Sequence, residues 1–119
     1  MTTNSATIDF EEASDNLRII RLAGRLDIQG VNAVDNRFAF LAASQKHGII
    51  VDLTSLDFIA SIGVRSLVSN AKAQQQRGGR LALFVGNNAP VIKVLTTTGI
   101  DKLIPMYADL ADAREAVLV

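Results

Sequence analysis

The chain is 119 residues long, 49% apolar and 20% charged, with 12 basic side chains balancing 12 acidic ones. That length supports one hydrophobic core and not two, and the balance is that of a globular domain rather than a disordered segment. It contains no cysteine, which excludes disulfide staples, thiolate zinc sites and cysteine nucleophiles.

Zero net charge without a basic stripe speaks against nucleic-acid binding. Arg77 and Arg80 flank Gly78-Gly79 and read as solvated turn residues. Met1-Thr2-Thr3-Asn4-Ser5 has neither the basic nor the apolar region of a secretory leader. No apolar run approaches the ~20 residues of a membrane span. A cytoplasmic location is expected.

Residues 6–10 and 17–23 read as two strands joined by an acidic, turn-forming loop over 11–16; the partial alternation of Leu17-Arg18-Ile19-Ile20-Arg21-Leu22 suits a half-buried hairpin partner. Gly24-Arg25-Leu26-Asp27 breaks that pattern. Over 31–44, Val31, Val34, Phe38, Leu41 and Ala42 share one helical face, and His47-Gly48 is expected to end the helix with a left-handed glycine. Residues 49–53 form a short strand apolar on both faces.

A short polar loop is expected after it, and then a helix beginning at Ser61. Val64, Leu67, Val68 and Ala71 form the apolar face of that helix; Arg65, Ser66, Ser69, Asn70 and Lys72 lie opposite. Residues 74–79 make an exit turn, 81–85 a second buried strand and 86–88 another turn. Pro90 suits the first turn of a helix over 90–98 that Gly99 closes. Residues 103–107 suit an edge strand, because Pro105 lacks a ladder donor. A last helix follows over Leu110–Leu118, with Asp109 or Asp112 near its positive end.

The order β-β-α-β-α-β-α-β-α predicts an α/β domain over 1–119: a mixed, mostly parallel sheet with helices packed on it.

Few enzymatic constellations fit. His47 is the single histidine, with no nucleophile indicated beside it, and it reads as an exposed residue at a helix end. No metal-ligand spacing and no glycine-rich phosphate loop occurs. Catalytic residues, metals and cofactors are therefore not expected.

Ser61 is the informative residue. A hydroxyl at a helix N-terminus lies where backbone N–H groups and the dipole favour negative charge, so it reads either as a neutral cap or as a place for a phosphate. Asp57 competes for the capping role. Gly63, inside the first turn, weakens a helix and implies a close approach of something to the backbone. Asp27 reads as a turn residue or an N-cap ahead of Val31, or as a recognition residue at the Ser61 end of the sheet. Val91, Ile92, Val94 and Leu95 are more apolar residues than one helical face buries, so core packing is expected for at least two of them and some are left for a partner.

Gly24-Arg25-Leu26-Asp27, Val51-Asp52-Leu53 and Leu56-Asp57-Phe58-Ile59-Ala60-Ser61-Ile62-Gly63-Val64 resemble the STAS domain of bacterial anti-sigma-factor antagonists. The likeness continues through Gly79 to Leu83 and the Pro90 helix. Family members usually carry Gly-Glu-Leu-Asp at the first motif and Asp-Ser-Ser/Thr-Gly at the second. Here Arg25 replaces the first acid, Ala60 the second, and Ile62 the hydroxyl residue after the serine.

The resemblance implies a non-enzymatic domain with Ser61 as phosphoacceptor. It also implies docking through Asp27, Asp57, Phe58, Ala60, Ile62, Gly63 and Arg65 onto a serine-kinase anti-sigma factor. Phosphorylation would break the complex and a serine/threonine phosphatase would restore it, with no nucleic acid or membrane involved. The alternative is a phosphorylation-independent STAS scaffold subunit of a transport or signalling complex, which Ala60 and Ile62 favour. A small hydrolase with Ser61 as nucleophile lacks a base.

Overall fold

A computed structural model describes residues 5–43 and 46–119. The reading of residues 1–4 as part of no leader, and the extension of the first helix to Ser44, lie outside the described residues. Five strands form one sheet in the order β1 (Thr7–Ser14), β2 (Leu17–Leu26), β3 (Gly48–Ile59), β4 (Arg80–Phe84) and β5 (Met106–Tyr107). β1 is antiparallel to β2, and the other neighbours are parallel.

Helices α1 (Ile28–Ala42), α2 (Ser61–Gln76) and α3 (Ala89–Thr97) make the three crossovers, and α4 (Leu110–Leu118) closes the chain. Because each crossover steps to the next strand in one direction, right-handed connections put α1, α2 and α3 on the same face. Alternation along the strands separates the two faces. Ile49, Val51 and Leu53 join Val34, Phe38, Leu67 and Leu95 in the larger core, whereas Leu17, Ile19 and Ile50 pack with Ala113 and Val117 of α4. The α/β order expected from the sequence is the one observed.

Several boundaries differ, each for a local reason. The hairpin turn is only Asp15-Asn16, and β1 runs on through Glu11-Glu12 because Arg18 on β2 binds Glu12 at 2.6 Å. Among the described residues no non-glycine residue has positive φ; Ala13, extra in the register between Glu12 and Ser14, lets the strands close without a primed turn. Gly48 is not a left-handed helix terminator. It opens β3, and a Cβ there would lie 2.8 Å from Val117 Cγ2, so the glycine admits α4 to the sheet.

His47 accordingly precedes a strand rather than ending a helix, and it is half-buried, with Nε2 3.3 Å from the Val119 oxygen. The segment 103–107 yields only a two-residue β5, after a 3-10 turn at Ile100–Lys102. Val91 and Leu95 of α3 are buried, and Ile92 and Val94 pack half-buried against the core.

β3 departs most from expectation. The polar loop expected after Leu53 is strand, and β3 pairs with β2 from Leu17↔Gly48 to Leu26↔Ile59. Two register shifts make this possible, each admitting one more residue on β3 than on β2, the second of them Asp57. Bulges are uncommon between parallel strands and bend the strand that carries them. Asp52 stabilises the first by accepting from both the amide and the hydroxyl of Thr54, at 2.9 and 2.7 Å. Beyond Asp52 the strand has no β4 partner. Asn88 substitutes for one, donating from Nδ2 to the carbonyls of Leu53 and Leu56, each at 2.9 Å.

Candidate functional site around Ser61

The carboxyl ends of β2 and β3 meet the amino ends of α1 and α2 at one corner of the sheet. Two backbone contacts fix the junction: Ala60 N donates to Leu26 O at 3.0 Å, and Val31 N donates to Asp27 O at 2.9 Å. Asp27 is the N-cap of α1, with Oδ1 accepting from Gly30 N at 2.9 Å. That bond, with a smaller contribution from Arg25, holds its carboxyl below the usual carboxylate range. Asp27 is therefore a helix cap, and it lies at the Ser61 end of the sheet.

Ser61 itself is not a cap. It is the first helical residue of α2; the N-cap position belongs to Ala60, whose methyl group cannot accept a hydrogen bond. Asp57 lies in the β3 bulge and caps nothing. Ser61 is exposed, and among the described residues its hydroxyl makes no hydrogen bond. The first turn of α2 also holds no acidic side chain. The helix therefore presents its positive end uncapped, with a hydroxyl on it.

The close approach implied by Gly63 is present. A Cβ there would lie 2.9 Å from Leu26 O, Leu26 Cβ and Ile59 Cγ1. Gly63 is buried, so its part is to bring α2 onto the end of β2. Around Ser61, Asp57, Phe58 and Arg65 are exposed, and Ala60 and Ile62 are half-buried. Ile62 and Arg65 also line a groove of about 380 Å³ between α1 and α2, where Ser66 Oγ donates to Asp35 at 3.1 Å. Ala60, Ile62 and Arg65 thus share the start of α2 with Ser61, Asp57 and Phe58 lie on the strand that leads into it, and Gly63 is buried.

Two features of the site carry no signal in the sequence. Arg25 lies over the Phe58 ring, 4.3 Å from its centroid, with Nε 3.4 Å from Asp27 Oδ2. Asn88 braces the far side of β3, as described above. Neither contact has a sequence signal, because both depend on register shifts that spacing does not reveal.

His47 and Ser61 bracket the twelve residues of β3, roughly 35–40 Å of extended chain. The two side chains are thus at opposite ends of the sheet and cannot form a nucleophile–base pair within one molecule. Among the described residues, no group of three or more His, Asp or Glu is placed to hold a metal ion. No helix there is long and apolar enough to cross a membrane.

A mixed five-stranded sheet, three crossover helices on one face and an exposed serine at the start of the second define a small single-sheet α/β architecture. Residues 8–113 match the model of the STAS domain family, and the chain belongs to that family.

A relative, the anti-sigma F factor antagonist of Paenibacillus polymyxa, is 29% identical over 96 residues, covering 80% of this chain and 81% of that one. An anti-sigma factor antagonist from Mycobacterium paratuberculosis superposes with a TM-score of 0.85 at 23% identity, covering 97% of this chain and 96% of that one. SpoIIAA, another anti-sigma factor antagonist, is similar in its unphosphorylated form (TM-score 0.74, 19% identity, 95% and 98% covered). The Bacillus cell fate determinant SpoIIAA in the phosphorylated form gives 0.66 at 20% identity, covering 92% and 99%.

Proposed function

We propose that this chain is an anti-sigma-factor antagonist that works by partner switching, with residues 1–119 acting as one STAS domain. The observation that carries the reading is the exposed, unbonded hydroxyl of Ser61 on the uncapped end of α2. Relatives that are anti-sigma factor antagonists support it, as does the solved phosphorylated form of one of them.

In this reading the unphosphorylated protein docks its Ser61 corner onto a serine-kinase anti-sigma factor and displaces the sigma factor held there. Asp27, Asp57, Phe58, Ala60, Ile62 and Arg65 form the contact, and Gly63 sets the tilt of α2 beneath it. The kinase, which supplies nucleotide and Mg²⁺, transfers a phosphoryl group to Ser61 Oγ. Ser61 is a substrate position, and this chain contributes no catalytic group.

Phosphate adds roughly two negative charges at neutral pH. The open N–H groups and dipole of α2 favour that charge on the chain itself, and Ala60 removes the like-charge repulsion that a carboxylate beside the serine would bring. A packed interface that has just accepted a neutral hydroxyl does not accommodate it, so the complex separates. A serine/threonine phosphatase resets the switch in the cytoplasm.

The substitutions flanking Ser61 favour a second reading, a scaffold that binds its partner without phosphorylation. Incubation with each serine-kinase anti-sigma factor of the source organism and ATP, followed by intact-mass measurement, separates the two. The switch predicts one phosphate on the wild type and none on Ser61→Ala. An unmodified wild type that still binds tightly supports the scaffold.

A further inference from the structure

Arg25 has no part in the switch as described, yet its side chain is held on two sides and its backbone on a third. The guanidinium carbon lies over the Phe58 ring, 4.3 Å from its centroid. Its Nε faces Asp27 Oδ2 at 3.4 Å. Its backbone carbonyl is packed beneath the first turn of α1, where a Cβ at Gly30 would collide with it. Each support is itself fixed. Phe58 is brought opposite Arg25 by the extra residue Asp57, and Asp27 is tied to Gly30 N.

The pair is nonetheless open to solvent, with Phe58 38% exposed and the Arg25 side chain 49%. Among the described residues Nη1 and Nη2 of Arg25 have no hydrogen-bond partner. With Cζ over the ring and Nε turned to Asp27, Nη1 and Nη2 are the donors left to grip a carboxylate with two parallel bonds. Arginine and aromatic side chains anchor protein interfaces when they are held in place before binding. The negative charge of Asp27 is committed to the α1 N-terminus and to Nε, which leaves Arg25 positive toward solvent.

We infer that Arg25, mounted on Phe58, is a docking anchor that reads a carboxylate side chain, an Asp or Glu, on the partner protein. This rests on the proposed docking of the Ser61 corner onto a serine-kinase anti-sigma factor. It gives that partner an acidic residue opposite Arg25 and makes the pairing a determinant of which kinase this chain engages.

The probe is each purified serine-kinase anti-sigma factor of the source organism, titrated calorimetrically, with and without bound nucleotide, against wild type, Arg25→Glu, Arg25→Lys, Phe58→Leu and Ile62→Asp. Arg25→Glu is expected to weaken the complex about tenfold or more. Arg25→Lys and Phe58→Leu lose less, and all variants keep a cooperative melt. Exchanging the facing partner acid for Arg restores binding to Arg25→Glu.

If Ile62→Asp abolishes binding while Arg25→Glu binds as wild type, the anchor is overturned and the docking corner stands. If Ile62→Asp also binds as wild type, or no kinase binds the wild type, both are overturned. A loss at Arg25→Glu seen only with nucleotide present assigns the guanidinium to a phosphate and overturns the carboxylate reading.

Discussion

The Ala60 amide donates to the Leu26 carbonyl at 3.0 Å, and this bond ties the start of α2 to the end of β2. Asp27 follows Leu26 and Ser61 follows Ala60, so the two motifs most distant in sequence share one rigid junction. Anything that moves α2 relative to β2 therefore disturbs the face that carries Ser61.

Gly63→Ala is the sharpest such change. Alanine improves helix propensity by roughly 1 kcal/mol. Its methyl would lie 2.9 Å from the Leu26 carbonyl, and overpacking of that kind costs about 1–3 kcal/mol. Because the Ala60–Leu26 bond resists retreat, the expected outcome is a net loss of stability in urea titration, with weakened binding to the proposed kinase partner.

Asn88 holds the strand that delivers Ser61. Its Nδ2 satisfies the carbonyls of Leu53 and Leu56, and leaving them unpaired costs about 1–3 kcal/mol. Asn88→Asp is expected to be at least as harmful as Asn88→Ala, since a carboxylate cannot donate. Hydrogen exchange should accelerate along 53–59 in both variants while β4 stays protected.

Asp27 gives a pH signature. Its carboxyl is held below the usual range chiefly by Gly30 N–H, so the folded state favours the ionised form. That contribution is complete above the unfolded value, about 4, and is lost as pH falls through the lowered folded value. Asp27→Asn keeps a capping oxygen without the titration. The melting-temperature gap between wild type and Asp27→Asn should therefore shift against the wild type as pH is lowered below about 4, and Asp27→Ala should melt lower than both near neutrality.

Most of the architecture was legible because apolar periodicity changes clearly between strands and helices: Ile49 to Leu53 against Val64, Leu67, Val68 and Ala71. The Asp27 cap, the Pro90 start of α3 and the close approach at Gly63 were legible from residue chemistry alone. The far half of β3 was not. Thr54, Ser55 and Asp57 look like loop residues, and only the bulged pairing with β2 makes them strand. The same bulges hid the Arg25–Phe58 contact, which needs two residues from different strands in a shifted register. Gly48 misled for a different reason, since space for Val117 and a left-handed turn both call for glycine.

In the proposed switch the unphosphorylated Ser61 corner displaces a sigma factor from its kinase. The most direct measurement is release of sigma factor from a preformed complex with the anti-sigma factor, followed by fluorescence anisotropy as wild type, Ser61→Ala or Ser61→Asp is added. Wild type without ATP and Ser61→Ala should release it, Ser61→Asp should not, and ATP should silence the wild type alone. Release by Ser61→Asp equal to that by Ser61→Ala would contradict the account.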